Sequence, residues 1–231
     1  MSQNYINEKD ISCYEVKINP FRTELVLTSP NENNEVFNLN DWVIIAFYKE
    51  ILLGEVIRKI PYSQTTIYGK ILRKATEDDF CQQSVLKKEA EELHTIIEPI
   101  VKNIEPSAKI VLVDKSFNRY KAYCYLIAEK RVDYAKLHKM LTNILGNRII
   151  IKQIGVRDYT RSLGGIGVCG REICCRIFLG TLKSITLSMA RQQNIYVEPE
   201  KISGVCGKLR CCLAFEFNSE QEEILPDEKI N

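Results

Sequence analysis

The chain has 231 residues, 45% of them apolar and 27% charged, enough for one large domain or two modest ones, which excludes a disordered polypeptide. Its 32 Lys and Arg nearly balance 30 Asp and Glu, so bulk charge gives no reason to expect a polyanionic partner. No apolar run reaches the roughly 18–20 residues of a membrane span, and the opening MSQNYINEKDISC lacks the basic and apolar regions of a signal peptide, so the protein is expected to stay in the cytosol.

The runs SCYEVKI, TELVLTS, WVIIAFY and ILLGEVIRKI mix β-branched and aromatic residues, with turn chemistry in SPNENNE, and predict a β module over residues 12–62. From Ser84 to Ile104, Leu86, Ala90, Leu93, Ile97 and Ile104 recur at helical spacing, and Pro99 is expected to kink or end that helix. AKIVLVD and KAYCYLIAE read as strands. A helix follows from about Val132 to Leu145, with Tyr134, Leu137, Leu141 and Ile144 on one side and Gly146 as its stop. NRIIIKQI supplies one more strand. The order α-β-β-α-β over residues 65–154 predicts an α+β fold, a sheet layer with helices on one face.

Composition changes after Gly155: seven of eleven glycines and six of nine cysteines fall between Gly164 and Cys212. Residues 155–216 are therefore read as a separate functional segment, with a short helix from Ser184 to Asn194 between two cysteine clusters. From Arg161 to Cys212 there are eight basic and three acidic residues, whereas residues 217–231 form an acidic tail.

The first cluster, Gly167 to Cys175, reads GVCGREICC, and the second, Gly204 to Cys212, reads GVCGKLRCC, 37 positions later. Chance does not duplicate this spacing together with its glycines. Without a secretory signal, cysteines at this density point to metal binding or redox chemistry rather than to disulfides. Glycine on both sides of a cysteine is expected to permit positive φ and a loop that wraps an inorganic centre, with free backbone amides for sulfur. Four intervening residues bring Cys169 near Cys174, and Cys206 near Cys211, so two loops supply a four-thiolate site. The vicinal partners Cys175 and Cys212 diverge from their neighbours and either pack or ligate something else. Arg171, Arg176, Lys208 and Arg210 suit an anionic thiolate centre and are expected to lower thiol pKa values. One cubane cluster takes four thiolates and two would need eight, more than six cysteines provide. A zinc site that merely pins the loops together is the alternative, since zinc also accepts all-sulfur ligation.

The remaining cysteines are isolated. Cys124, within AYCYLIA, reads as a small buried hydrophobe; Cys13 lies in a strand-like run and Cys81 after a polar turn. His94 and His138 sit in charged helical stretches and read as solvated side chains.

The stretches IIIKQIGVRD, LGGIGVCGREICC, FLG, SMARQQN and KISGVCGKLRCCLAFE resemble the YaaT (RicT) family of bacterial cytosolic proteins, densely from about Arg131 to Glu216 and more thinly before. The resemblance implies a PSP-type C-terminal module and, in Gram-positive members, a complex with the small helical proteins RicA and RicF, associated with RNase Y and affecting mRNA maturation, sporulation, competence and biofilm development. It also implies 4Fe-4S clusters, with Cys169, Cys174, Cys175, Cys206, Cys211 and Cys212 carried over as ligands; ligands shared with partners would agree with the shortage counted above. Familiar members continue into a further small domain, whereas this sequence runs fifteen residues past Glu216, so any function housed there is expected to be missing.

The leading expectation is a non-catalytic iron-sulfur regulatory subunit of a complex acting on RNA. The alternative is a zinc-stabilised nucleic-acid-binding module in which Arg161, Arg171, Arg176, Lys208 and Arg210 contact phosphate. A dense basic run interleaved with aromatics is missing, which speaks against that alternative. A thiol-redox enzyme is disfavoured because Cys-x-x-Cys spacing is missing, and no Walker loop, dinucleotide fingerprint or serine elbow points to another enzyme.

Overall fold

The computed structural model describes residues 12–28, 37–61, 69–130, 132–145, 148–179, 184–195 and 198–217. The chain divides into two compact units, Met1–Ile154 and Gly155–Asn231.

The first unit opens with strands β1 (Cys13–Asn19), β2 (Arg22–Leu27), β3 (Trp42–Phe47) and β4 (Glu50–Ile60), the four expected from the sequence, and a fifth that was not, β5 (Gly69–Lys74). They close into a small barrel in the order β1-β2-β5-β3-β4, with β2 and β5 parallel and the other pairs antiparallel. Alternation along each strand sends Val16, Val26, Val43, Ile45, Leu52, Val56 and Ile71 into one apolar core. The barrel thus reaches beyond residues 12–62 to Lys74.

Helix α1 (Glu77–Ile104) is longer than its apolar periodicity shows. Thr76 and Asp79 form a capping box, with the Thr76 N–H donating to the Asp79 carboxylate at 2.8 Å, and the acids Glu77, Asp78 and Asp79 lie at the positive end of the helix dipole. Pro99 neither ends the helix nor sits in its core. It occupies the exposed face together with Thr95, whose carbonyl loses its amide partner to the proline, and the helix continues to Ile104.

Strands β6 (Lys109–Lys115), β7 (Ala122–Ile127) and β8 (Ile149–Gln153), with helix α2 (Tyr134–Leu145) before the last, complete the expected α-β-β-α-β order and the α+β fold. The sheet order is β6-β7-β8, antiparallel then parallel. One face, carrying Ile110, Val113, Cys124, Leu126 and Ile149, packs on Ile97 and Val101 of α1 and Leu137 and Leu141 of α2. Gly146, the expected stop of α2, lies outside the described residues. Cys124 is wholly buried and its thiol is pushed up to about 12 by burial, the behaviour of an inert core residue. Cys13 is also buried, and Cys81 is exposed on α1.

The other face of the sheet meets the barrel through a polar cluster. Arg22 lies with its guanidinium 4.5 Å from the Tyr123 ring centre and donates to Glu24 at 2.6 Å and to Glu50 at 3.1 Å. Glu50, only 2% exposed, also accepts from the Tyr123 hydroxyl at 2.8 Å and pairs with Lys121 at 3.0 Å. The backbone bond from Phe117 N–H to Ile51 C=O, 2.7 Å, ties the same two layers.

The second unit is built from short pieces: α3 (Val156–Leu163), α4 (Cys174–Ile177), α5 (Leu187–Gln192), α6 (Pro199–Ile202) and α7 (Cys211–Phe215). Ala190, Ile202 and Leu213, flanked by Ile185, Ile195 and Leu209, form its small core. The helix expected from Ser184 to Asn194 is α5, shorter at both ends. The acidic tail lies outside the described residues from 218 onward. Among the described residues, no helix is long and apolar enough to cross a membrane.

Candidate metal centre

The duplication read in the sequence is a duplication in space. In the first loop Gly167 N–H donates to Arg171 C=O at 2.7 Å and Gly170 N–H to Gly167 C=O at 3.0 Å; in the second, Gly204 N–H donates to Lys208 C=O at 2.8 Å and Gly207 N–H to Gly204 C=O at 2.9 Å. Each loop is closed by one antiparallel bridge, Ile166 with Glu172 and Ser203 with Leu209. Each then enters a short helix whose first two residues are the vicinal cysteines, Cys174 and Cys175 in α4, Cys211 and Cys212 in α7. The correspondence extends to Phe178 and Phe215, also 37 positions apart, whose rings meet edge to face at 5.0 Å.

The glycines divide their roles. Gly170 and Gly207, after the first cysteine of each loop, have φ of 76° and 72° and make the reversal that only glycine adopts without cost. Gly167 and Gly204, before it, do not have positive φ, which corrects the expectation for both flanks; a Cβ at either would touch first a loop carbonyl, of Arg171 or Lys208, and then the sulfur of Cys169 or Cys206. Because a side chain at Gly207 would meet nothing within 4 Å, the cost of Gly207→Ala is backbone strain alone. The variant is expected to lose about 1–2 kcal/mol of local stability, read as faster amide exchange at Gly204 and Gly207 with the first unit unchanged.

Cys169, Cys174, Cys175, Cys206, Cys211 and Cys212 all line one cavity of about 90 Å3, together with Thr160, Ile173 and Leu209. One water centre needs about 15 Å3, so the space admits a group of several atoms. Cys175 is buried, Cys169 exposed at the mouth, and the other four are partly covered. The thiols of Cys211 and Cys212 are pushed up, first by burial and then by neighbouring negative groups: Cys175, Cys206 and Cys174 act on Cys211, and the Glu216 carboxylate and then Cys174 on Cys212. The expected lowering of thiol pKa by surrounding cations therefore does not hold for these two, because desolvation outweighs the nearby charge. Soft thiolates from both loops fit a thiophilic metal or an iron-sulfur group by chemistry. Among the described residues no three Cys, His, Asp or Glu side chains already stand where they could hold one ion.

The candidate cations are spread over the unit. Arg161 donates to Leu179 C=O at 3.0 Å, Arg176 faces Glu172 at 3.5 Å, and Arg210 braces its loop through Ser203 C=O and Glu200 C=O, both at 3.2 Å. Arg171 and Lys208 are exposed at the same position of the two loops. The cation acting on Cys211 is one the sequence reading passed over, Arg157 of α3. Its terminal nitrogen donates to Leu209 C=O at 2.9 Å, while its Nε is buried without a hydrogen-bond partner among the described residues. Its position in IGVRD, before the glycine-rich loop, was the only signal available. His94 and His138 lie in the other unit, on α1 and α2.

Comparison with known proteins gives a concordant result. Residues 69–154 match the model of the PSP1 C-terminal conserved region, which here comprises β5 to β8 with α1 and α2, and residues 184–223 match that of the PSP1-like protein, third domain. The chain is 39% identical over 192 residues to "Stage 0 sporulation protein YaaT" of Bacillus subtilis (strain 168), covering 76% of this chain and 70% of that protein. No solved structure matches it. With that identity over that length, and with these two PSP1 matches beside it, the chain belongs to the YaaT family of PSP1-type proteins.

Proposed function

We propose that the chain is a non-catalytic, cytoplasmic regulatory subunit whose six cysteines hold a 4Fe-4S cluster, and that it works in a complex with RicA- and RicF-like proteins alongside RNase Y in mRNA processing and turnover. The observation that carries this reading is the convergence of all six cysteines of two copied loops on one cavity. When bound, a cluster supplies a redox-sensitive anionic node that ties the loops together. This chain's residues contribute the sulfur ligands and the helix starts that aim them. Arg157 and Arg210 offset negative charge at Cys211 and Cys212. The relative's name places it in the initial stage of sporulation, and regulation at that level suits a subunit that assembles with others.

A partner surface beside the cavity supports complex formation. Val168 and Val205, at equivalent loop positions, together with Phe178 and Phe215, are each more than half exposed. Apolar side chains held in water around one site mark a surface that another protein covers. The alternative, zinc with phosphate-binding cations, shares the donor set, but three of the five candidate cations already engage carbonyls or a carboxylate of this unit.

The deciding experiment is elemental and sulfide analysis of the full chain isolated without oxygen, with and without its co-purifying partners. Iron with acid-labile sulfide and broad visible absorption is the expected result. Zinc in place of iron, or iron-free protein after anaerobic reconstitution with the partners present, overturns the reading.

A further inference from the structure

The three-stranded sheet ends on β8, and among the described residues nothing hydrogen-bonds to its outer edge. The bonds from Ala122 N–H to Arg148 C=O and from Ile154 N–H to Leu126 C=O bracket its ladder with β7. Alternate residues of a strand face the same neighbour, so Ile150 and Lys152 turn their backbone groups toward β7, while Ile149, Ile151 and Gln153 present theirs outward. Such a row of unpaired donors and acceptors is a template for another strand.

A groove of about 660 Å3 runs along this edge, with Tyr134, His138, Lys139 and Thr142 of α2 on one wall and Ile149 to Ile151 on the other. Among the described residues no Asp or Glu lines it, and α2 carries none anywhere between Tyr134 and Leu145. The fixed charge beside the groove is positive: Lys139 lines it next to His138, while Lys152 emerges on the opposite face, 5.4 Å from the Tyr123 ring centre, where Glu24 and Glu50 also act on it. An edge strand beside a helix suits an extended chain, whose backbone supplies affinity through the ladder and whose alternate side chains enter the groove.

We propose that β8 and α2 form a docking site for an extended acidic segment of another protein, which adds as a strand to β8, places small or β-branched side chains over Ile149 and Ile151, and meets Lys139, His138 and Lys152 with carboxylates. Its lining shares no residue with that of the thiol cavity, and the proposal does not rest on what that cavity holds.

The test begins with selection of a displayed random-peptide library on the full chain, then measures recovered peptides against wild type and the double variant His138→Glu, Lys139→Glu. Both side chains are exposed, so the variant keeps its fold, which unchanged circular dichroism checks. Recovered peptides are expected to be acidic with alternating apolar residues and to bind the variant at least about tenfold more weakly, since like charges placed in contact cost 1.4 kcal/mol or more. By residue-resolved amide exchange, Ile151 and Gln153 slow on binding while Ile150 and Lys152 stay as they were. Failure to enrich any peptide, enrichment without acidic residues, equal binding to the variant, or slowing confined to other segments overturns the proposal. Slowing at Ile151 and Gln153 that rises with protein concentration and needs no peptide assigns the edge to a second copy of this chain, and overturns it too.

Discussion

Serine in place of Cys174 or Cys211 is expected to leave the anaerobically purified protein with no more than about a tenth of the metal and sulfide bound by the wild type, while Cys81→Ser retains all of it. Cys174 and Cys211 hold the same place, the first residue of α4 and of α7, so each loop contributes one sulfur fixed by a helix start. Serine preserves size and the helical position but replaces a soft ligand with a hard one. Loss of even an outer partner of a metal ligand costs about 10–100-fold in affinity, and loss of the ligand itself costs more. Near-complete loss at each position is the mark of one shared centre. Loss of only about half at each would instead mean that the loops bind independently, and full retention at either would mean that its loop holds nothing; in both cases the single-centre reading would fall.

The second large effect belongs to the first unit. Glu50→Ala is expected to lower its unfolding free energy by about 3–5 kcal/mol, the cost of removing one partner of a buried ion pair, measured by urea denaturation. The variant leaves Arg22, with its side chain 5% exposed, without one of its two carboxylates, and leaves Tyr123 and Lys121 without their common acceptor. Burial raises the Glu50 pKa, but hydrogen bonds from Tyr123, Lys121 and Arg22 outweigh it and hold the carboxyl below its ordinary value of 4.5. A depressed folded value gives stability that is present above the unfolded pKa and is lost as pH falls through the folded one. Wild type should therefore weaken as pH drops below 4.5, and Glu50→Gln should show a shallower loss. Glu89, held at about 2 by Arg119 and Lys115, adds to the same acid dependence and remains in the variant.

Legibility in the sequence followed the strength of local signals. Four barrel strands and the α-β-β-α-β layer were legible because their apolar residues repeat with the period of the element. Strand β5 was not, since GKILRK offers one deeply buried hydrophobe, Ile71, among glycine and three cations, and its identity as a strand depends on β2 and β3 beside it. The start of α1 was missed because its first turn is a cap of threonine and acids rather than an apolar stripe. The thiol loops were the clearest feature, as repeated spacing survives without any packing context. What the sequence withheld was burial: it showed cations beside cysteines but not that desolvation would dominate Cys211 and Cys212, nor that Arg157 would approach from a preceding helix. The pairing of Phe178 with Phe215 was available from the 37-residue offset, since the repeat extends three residues past each vicinal pair.

Carrying both loops on one chain has a kinetic consequence. Once the first loop has captured a thiophilic guest, the second arrives by an intramolecular step, at an effective concentration of the order of millimolar set by the tether rather than by the abundance of the protein. Two separate chains bearing one loop each would need to meet, and would fall apart on dilution. Assembly in tandem instead proceeds equally well when the cell holds few copies, with a stoichiometry written into the polypeptide.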